Sequence, residues 1–187
     1  MKIKMTLLSD TIFGNGTSIP GAEDISVLTD EYGFPYFKGG TLKGIFREEL
    51  FRLLELKGKT REEVKKEVSG LLGNNGDDNL FEERKLIFSD LKMSENVRNV
   101  VKQEIGTDRP EEILDILTNL RTFTKINEEE IVEEGSLRIA RCVNKGLVFY
   151  GEIKCSKQDE ELVKEVLGMT KYIGTMRNRG FGKVKFS

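Results

Sequence analysis

The 187-residue sequence predicts an α+β fold of ferredoxin-like order, extended by inserted helical segments. Three patterns carry that expectation. Apolar and polar residues alternate in "KIKMTLLSD", "SLRIARCV" and "LVFYGEIKC". Apolar residues recur at helical spacing from Thr41 to Leu56 and again in "DEELVKEVLGMTKYIG". Glycine-rich turns mark the changes between the two periods. In order, the elements run strand, helix, strand, long excursion, strand pair, helix, strand.

The opening strand places Ile3, Met5 and Leu7 on one side and Lys2, Lys4 and Thr6 on the other. In the first helix, Leu42, Ile45, Phe46, Leu50, Leu53 and Leu54 share a face, with Lys43 and Arg47 four apart on another. "REEVKKEVSGLLG" reads as a weaker helix before the turn-rich "NNGDDN", where a mobile insertion is expected. "RKLIFSDLKM" returns to strand character. Helical patterns follow at Val97 to Val101 and at Ile113 to Leu117, the latter opening at Pro110. "SLRIARCV" and "LVFYGEIKC" flank Asn144-Lys145-Gly146 and predict an antiparallel hairpin. "GKVKF" supplies the last strand. One domain spanning 1–187 accommodates all of this, with insertions at about 58–83 and 94–119.

Composition narrows the chemistry. The chain has no histidine, which excludes His-based acid/base catalysis, Ser-His and Cys-His nucleophile pairs, and imidazole-containing zinc sites. Cys142 and Cys155 sit too far apart along the expected ladder to pair, and with the methionines they fit strand and core positions. No apolar run would span a bilayer, and the N-terminus lacks a signal-peptide block, so the expected location is cytoplasmic. The net charge of −2 gives no global basic signature, yet the charge is segregated. Glu128, Glu129, Glu130, Glu133 and Glu134 crowd one stretch. From Val166 to Ser187 there are five basic side chains and no acidic one. A solvated face and an anion-binding edge are both open readings of that terminus.

Two segments stand out. In "FKGGTLKGIFREEL", two glycines directly precede a helix, so unpaired N–H groups and the helix dipole would join Lys38, Lys43 and Arg47 in favouring phosphate. The Walker A spacing is absent. The alternative is a tight loop in which Thr41 is the N-cap. In "GTMRNRGFGKVKF", Gly174, Gly180 and Gly182 would allow sharp turns, while Arg177 and Arg179, two apart on extended chain, would present guanidinium groups to one side. Phe181 would stack on a base or pack into the core.

Taken together, "GFPYFKGGTLKGIFREEL" and "GTMRNRGFGKVKF" resemble the RAMP superfamily, whose members process or hold CRISPR guide RNA. "LIFSDLKM" is similar to that family's central strand, and "LRTFTKINEEEIVEEGSLRIARCVNKGLVFYGEI" to the projecting hairpin, or thumb, of its backbone-forming branch, here at about 120–143. Within the superfamily the likeness is greatest to the repeating backbone subunit of type III interference complexes. It implies a modified ferredoxin-like, RRM-like domain that stacks in several copies along guide RNA beside other subunits and engages single-stranded target RNA. Carried over, Gly39, Gly40, Thr41, Lys43 and Arg47, with Arg177, Asn178 and Arg179, would touch guide RNA. Arg121, Phe123, Thr124 and Lys125 would sit at the thumb.

The resemblance also implies target cleavage by an aspartate on the loop after the first strand, assisted by a divalent metal such as Mg2+. In "GAEDISVLTDEYGFPY" that place falls to Asp24, as catalytic residue and metal ligand. The target's 2′-hydroxyl would attack the adjacent phosphate, leaving a cyclic phosphate and a 5′-hydroxyl. Ala22-Glu23 departs from the small glycine-containing pair usual before the aspartate. Asp24 also suits a turn that bonds its own backbone. Glu23 and Asp30 are the other candidate carboxylates, Asp30 reading better as a turn former. Two alternatives remain: a guide-processing endoribonuclease of the same superfamily, disfavoured by the missing histidine and the single domain, and a purely structural subunit. Sequence preference for RNA should be nearly absent, since base pairing by the guide supplies it.

Overall fold

The computed structural model describes residues 1–14, 16, 18, 23–73, 86–124 and 135–187. In chain order they form β1 (Lys2–Leu7), α1 (Gly39–Leu56), α2 (Arg61–Leu72), β2 (Ile87–Phe88), α3 (Glu95–Ile105), α4 (Pro110–Leu117), β3 (Thr118–Phe123), β4 (Arg138–Val143), β5 (Val148–Lys154), α5 (Glu160–Met169) and β6 (Val184–Phe186). A 3-10 turn at Arg177–Arg179 lies between α5 and β6.

Alternation in β1 buries Ile3, Met5 and Leu7, and that strand sits inside an antiparallel sheet of order β2-β5-β1-β6. With α1 and α5 in the connections, the path is β-α-β-β-α-β, the ferredoxin-like order. The apolar stripe of α1 (Leu42, Phe46, Leu50, Leu53, Leu54) and that of α5 (Val163, Val166, Leu167) join the inward residues of the sheet in one core. Each fully buried leucine there contributes roughly 2 kcal/mol of transfer free energy. Helix α2 begins with a capping box between Thr60 and Glu63 and buries Val64, Val68, Leu71 and Leu72. Pro110 occupies the first turn of α4.

Three local expectations are corrected. The alternating runs around Asn144-Lys145-Gly146 do not pair with each other. Strand β4 pairs in full register with β3, from Thr118↔Val143 to Phe123↔Arg138, and β5 pairs with β1 and β2. The turn survives, with Gly146 at φ 87°, but the end of β1 captures it: the Gly146 N–H donates to the Leu7 carbonyl and the Leu7 N–H to that of Leu147. Strand β2 is a two-residue edge strand, not a central one, because the chain breaks at Ser89-Asp90 before Leu91 and Lys92 bridge to Phe37 and Tyr150. Thr41 is not the N-cap of α1. The helix starts at Gly39, three residues earlier than that cap would allow, with Lys38 at the cap.

The β3-β4 sheet lies within the stretch read as a projecting hairpin. Residues 125–134, which include Lys125 and the five clustered glutamates, and residues 74–83 of the first expected insertion lie outside the described residues. A small second core forms under this sheet from Ile12, Ala140 and Cys142, with Ile25, Phe123, Met176 and Phe181 packed against it. Burial, with the Asp10 charge nearby, pushes the Cys142 thiol up to about 11, and both cysteines are free.

Candidate functional site

The two glycine-rich segments singled out in the sequence meet in space. A cleft of about 200 Å³ separates the start of α1 from the loop after α5, with Lys38 and Thr41 on one side and Gly174, Thr175 and Arg177 on the other. Phe13, Phe37 and Ile45 give it apolar walls, and Glu48 is its one acidic residue. That volume is smaller than a pocket enclosing a drug-sized ligand, so it suits one group of a longer chain lying across it. Gly174 is required where it is: φ is 73°, and a Cβ there would meet the Ile12 carbonyl oxygen at 2.4 Å.

The remaining members of the first segment do different work. Gly39 is buried against β2, and its N–H donates to Asp90 Oδ1 at 2.8 Å, so one amide at the start of α1 already has its anion. Gly40 faces open space. Lys43 is half-buried and has an interaction partner. Arg47 turns toward the end of α2, where Nη2 donates to the Gly73 carbonyl at 2.9 Å, and burial lowers its pKa. Those carbonyls are the unpaired C-terminal acceptors of α2.

In the terminal loop, Arg177, Asn178 and Arg179 are exposed. They form a 3-10 turn, not extended chain, so the two guanidinium groups leave in different directions. Met176 at the N-cap of the turn is the one non-glycine residue with positive φ among those described. Arg177 points to the cleft, whereas Arg179 lies 5.9 Å over the Phe123 ring. Phe181 packs edge-on to Phe123 at 5.6 Å, which settles it in the second core. Thr124 is exposed beside them.

Asp10 had no signal in the sequence, yet it ties three segments together. Its Oδ2 accepts from Arg121 at 2.9 Å and from Asn119 at 3.2 Å, and Oδ1 accepts from the Lys145 N–H at 3.0 Å. Its own carbonyl accepts from Gly182. Burial pushes the Asp10 carboxyl up, but the Arg121, Lys145 and Asn119 donors outweigh it and hold the group below its ordinary value.

The candidate carboxylates separate clearly. Residues 24 and 25 run along β4, with the Asp24 and Ile25 N–H groups donating to Ile139 and the Arg141 N–H returning to Ile25. Asp24 is half open to solvent. Its Oδ2 accepts from the Ile139 N–H at 2.7 Å instead of from its own loop, and Oδ1 stands 3.8 Å from Arg138. Glu23 is buried and paired with Arg141 at 2.6 Å, and Arg141 also reaches Asp115. Burial opposes the Arg141 charge, but the Asp115 and Glu23 carboxylates outweigh it and raise its pKa. Asp30 is a turn former: Oδ1 accepts from Tyr32 and Phe34, and Oδ2 pairs with buried Arg98 at 2.6 Å.

Among the described residues no three metal-ligating side chains cluster. A divalent ion at Asp24 would therefore find a single carboxylate from this chain, with Arg138 3.8 Å from its Oδ1, and would need its remaining ligands from elsewhere. No helix among the described residues is long and apolar enough to cross a membrane.

Residues 4–185 match the sequence model of the RAMP superfamily. Among solved structures, the chain is similar to one from the cryo-EM structure of the Type III-B Cmr-beta bound to cognate target RNA, with TM-score 0.68 and 14% identity over 99% of this chain and 95% of that one. A chain of Type III-B Cmr-beta in its apo state gives TM-score 0.66 at 14% identity, over 100% and 95%. At that identity the likeness is one of fold. No curated protein matches the sequence.

Proposed function

The chain belongs to the RAMP superfamily, and from that premise we propose that it is a guide-RNA-binding subunit of a type III CRISPR RNA-guided complex. The observation that carries this reading is the cleft, which brings Lys38, Thr41, Gly174, Thr175 and Arg177 together from segments more than a hundred residues apart in sequence. Arg177 offers a guanidinium fork to a phosphate, and glycine at 174 lets backbone approach closely. The similar Cmr-beta structures, one of them bound to target RNA, support the same assignment. Guide RNA is the proposed ligand of the cleft. Target RNA would lie by the thumb, where Arg121 and Thr124 are exposed.

Cleavage of bound target RNA at Asp24 is the finer part of the proposal. The Ile139 N–H fixes Oδ2, so the carboxylate is oriented by a strand of the thumb, and Oδ1, 3.8 Å from Arg138, would have to exchange that partner for the ion. A divalent ion bound there would neutralise charge developing on the phosphate. Asp24 would help hold that ion and orient the splayed backbone for attack by the target's own 2′-hydroxyl, giving cyclic-phosphate and 5′-hydroxyl ends.

The test is to purify the protein with its native neighbours and sequence the nucleic acid it carries. Repeat-derived guide RNA of defined length is the expected result, and random cellular RNA or none defeats the assignment. In the same assembly, Asp24→Asn keeps an acceptor for the Ile139 N–H but removes the carboxylate. It is expected to abolish target cutting while retaining guide RNA. Cutting at the parent rate removes Asp24 from the mechanism and leaves the guide-binding reading intact.

A further inference from the structure

The strand faces opposite α1 and α5 carry a second charged surface that the cleft does not use. Alternation that buries Ile3, Met5, Phe149, Ile153 and Val184 turns Lys2, Lys4, Tyr150, Lys154 and Lys185 outward, all of them exposed. At the centre, Lys4 is the register partner of Tyr150 on one side. Lys92 is its partner on the other, exchanging both backbone hydrogen bonds with it at 2.9 and 2.7 Å. Directly opposed residues of antiparallel strands point to the same face. Lys4, Tyr150 and Lys92 therefore form a row about 10 Å long, two strand spacings.

None of Lys2, Lys4, Lys92, Lys154 and Lys185 makes an ion pair among the described residues, where the salt bridges lie elsewhere. Glu152 is the acidic residue of this face, opposite Lys2. Tyr150 is 45% exposed, and the cation–ring contacts among the described residues involve other rings, so its face is clear. The local charge is strongly positive in a chain whose net charge is −2. An acidic protein surface would answer the lysines alone. An open aromatic ring held between two unpaired cations also answers a base and its flanking phosphates.

We propose that this open sheet face is a second RNA-binding surface, specific for single-stranded RNA and indifferent to its sequence, with Tyr150 stacking a base and Lys4 and Lys92 holding phosphates. It stands apart from the cleft and does not depend on the cleft's occupant. The lysines act as point charges on flexible stems, so they track a backbone without reading bases.

The test uses the full chain and fluorescein-labelled oligouridine, with anisotropy measured across a salt series in an Arg177→Ala background that disables the cleft. Tyr150→Ala is expected to weaken binding about tenfold, with Tyr150→Phe restoring it. Lys4→Ala with Lys92→Ala is expected to lower the salt slope by about 1.4, two single-strand phosphate contacts. A photoactivated thiouridine oligomer should cross-link to the peptide carrying Tyr150. All three side chains are exposed, so an unchanged melting temperature confirms that the variants fold. Unchanged affinity in both variants overturns the proposal, and so does loss of all binding with Arg177→Ala alone. Displacement of the RNA by polyglutamate at equal charge also overturns it, in favour of an acidic protein partner.

Discussion

Asp10 shows how much one carboxylate can organise from an unpromising position. It accepts from β3 through Asn119 and Arg121, from the β4-β5 turn through Lys145, and its carbonyl holds the terminal glycine loop at Gly182. Because these donors hold the folded carboxyl below its ordinary value, the unfolded chain binds the proton more readily. The stabilisation is therefore fully present above the ordinary carboxylate range and is lost as pH falls through the lowered folded value. Asp10→Ala should cost about 2 kcal/mol at neutral pH, the order of a half-buried carboxylate with charge-assisted hydrogen bonds. That gap should close as the pH drops below about 4, and urea titrations of parent and variant from neutral to acid pH measure it. A gap independent of pH would mean that shape, not charge, is what Asp10 supplies. Nothing in "LLSDTIF" marks this residue, because its partners are more than a hundred residues away in sequence. Asp30 was legible for the opposite reason, since it bonds within its own "DEYGF" turn.

At the scale of elements, periodicity located the helices because a buried stripe leaves a 3.6-residue signature whatever lies beyond it. Pairing was less legible. Two alternating runs with a glycine turn describe a hairpin equally well whether the strands stay together or part, and only the competition of β3 for β4 and of β1 for β5 decides. The glycines before α1 show the same limit. Their spacing suggested one anion cradle, but Gly39 is needed for packing: a Cβ would sit 2.4 Å from the Phe88 carbonyl oxygen and 2.7 Å from that of Ser89. Gly40 has nothing within 4 Å. Gly39→Ala should therefore destabilise the fold by about 3 kcal/mol, as overpacking does, by pushing α1 off β2. Gly40→Ala should be neutral or stabilising by up to about 1 kcal/mol, through helix propensity. Chemical denaturation of the two variants tests this, and equal effects would show that the close approach of α1 to β2 is not what fixes Gly39.

The described residues pack into two cores of unequal size. The larger spans the four-stranded sheet with α1, α2, α4 and α5, and the smaller lies beneath β3-β4, closed by Phe123, Met176 and Phe181. Segment 23–25, including Asp24, is hydrogen-bonded to β4 and packs Ile25 on that smaller core. The candidate catalytic carboxylate thus belongs mechanically to the thumb strands, while the cleft belongs to α1 and the terminal loop. Phe181 joins the two, since it follows the Arg177–Arg179 turn and meets Phe123 edge-on. Local stability follows local burial, so the smaller core should open at lower cost than the larger. Phe181→Ala should speed amide exchange in 118–123, 138–143 and at Ile25, with the β1 and β5 amides unchanged. Hydrogen exchange read by mass spectrometry separates the outcomes. Selective loss of protection would establish that the smaller core opens separately and that the Phe123–Phe181 ring pair couples the terminal loop to the strand holding Asp24. Loss spread evenly over both sheets would show one cooperative core, with Asp24 as rigidly placed as the cleft.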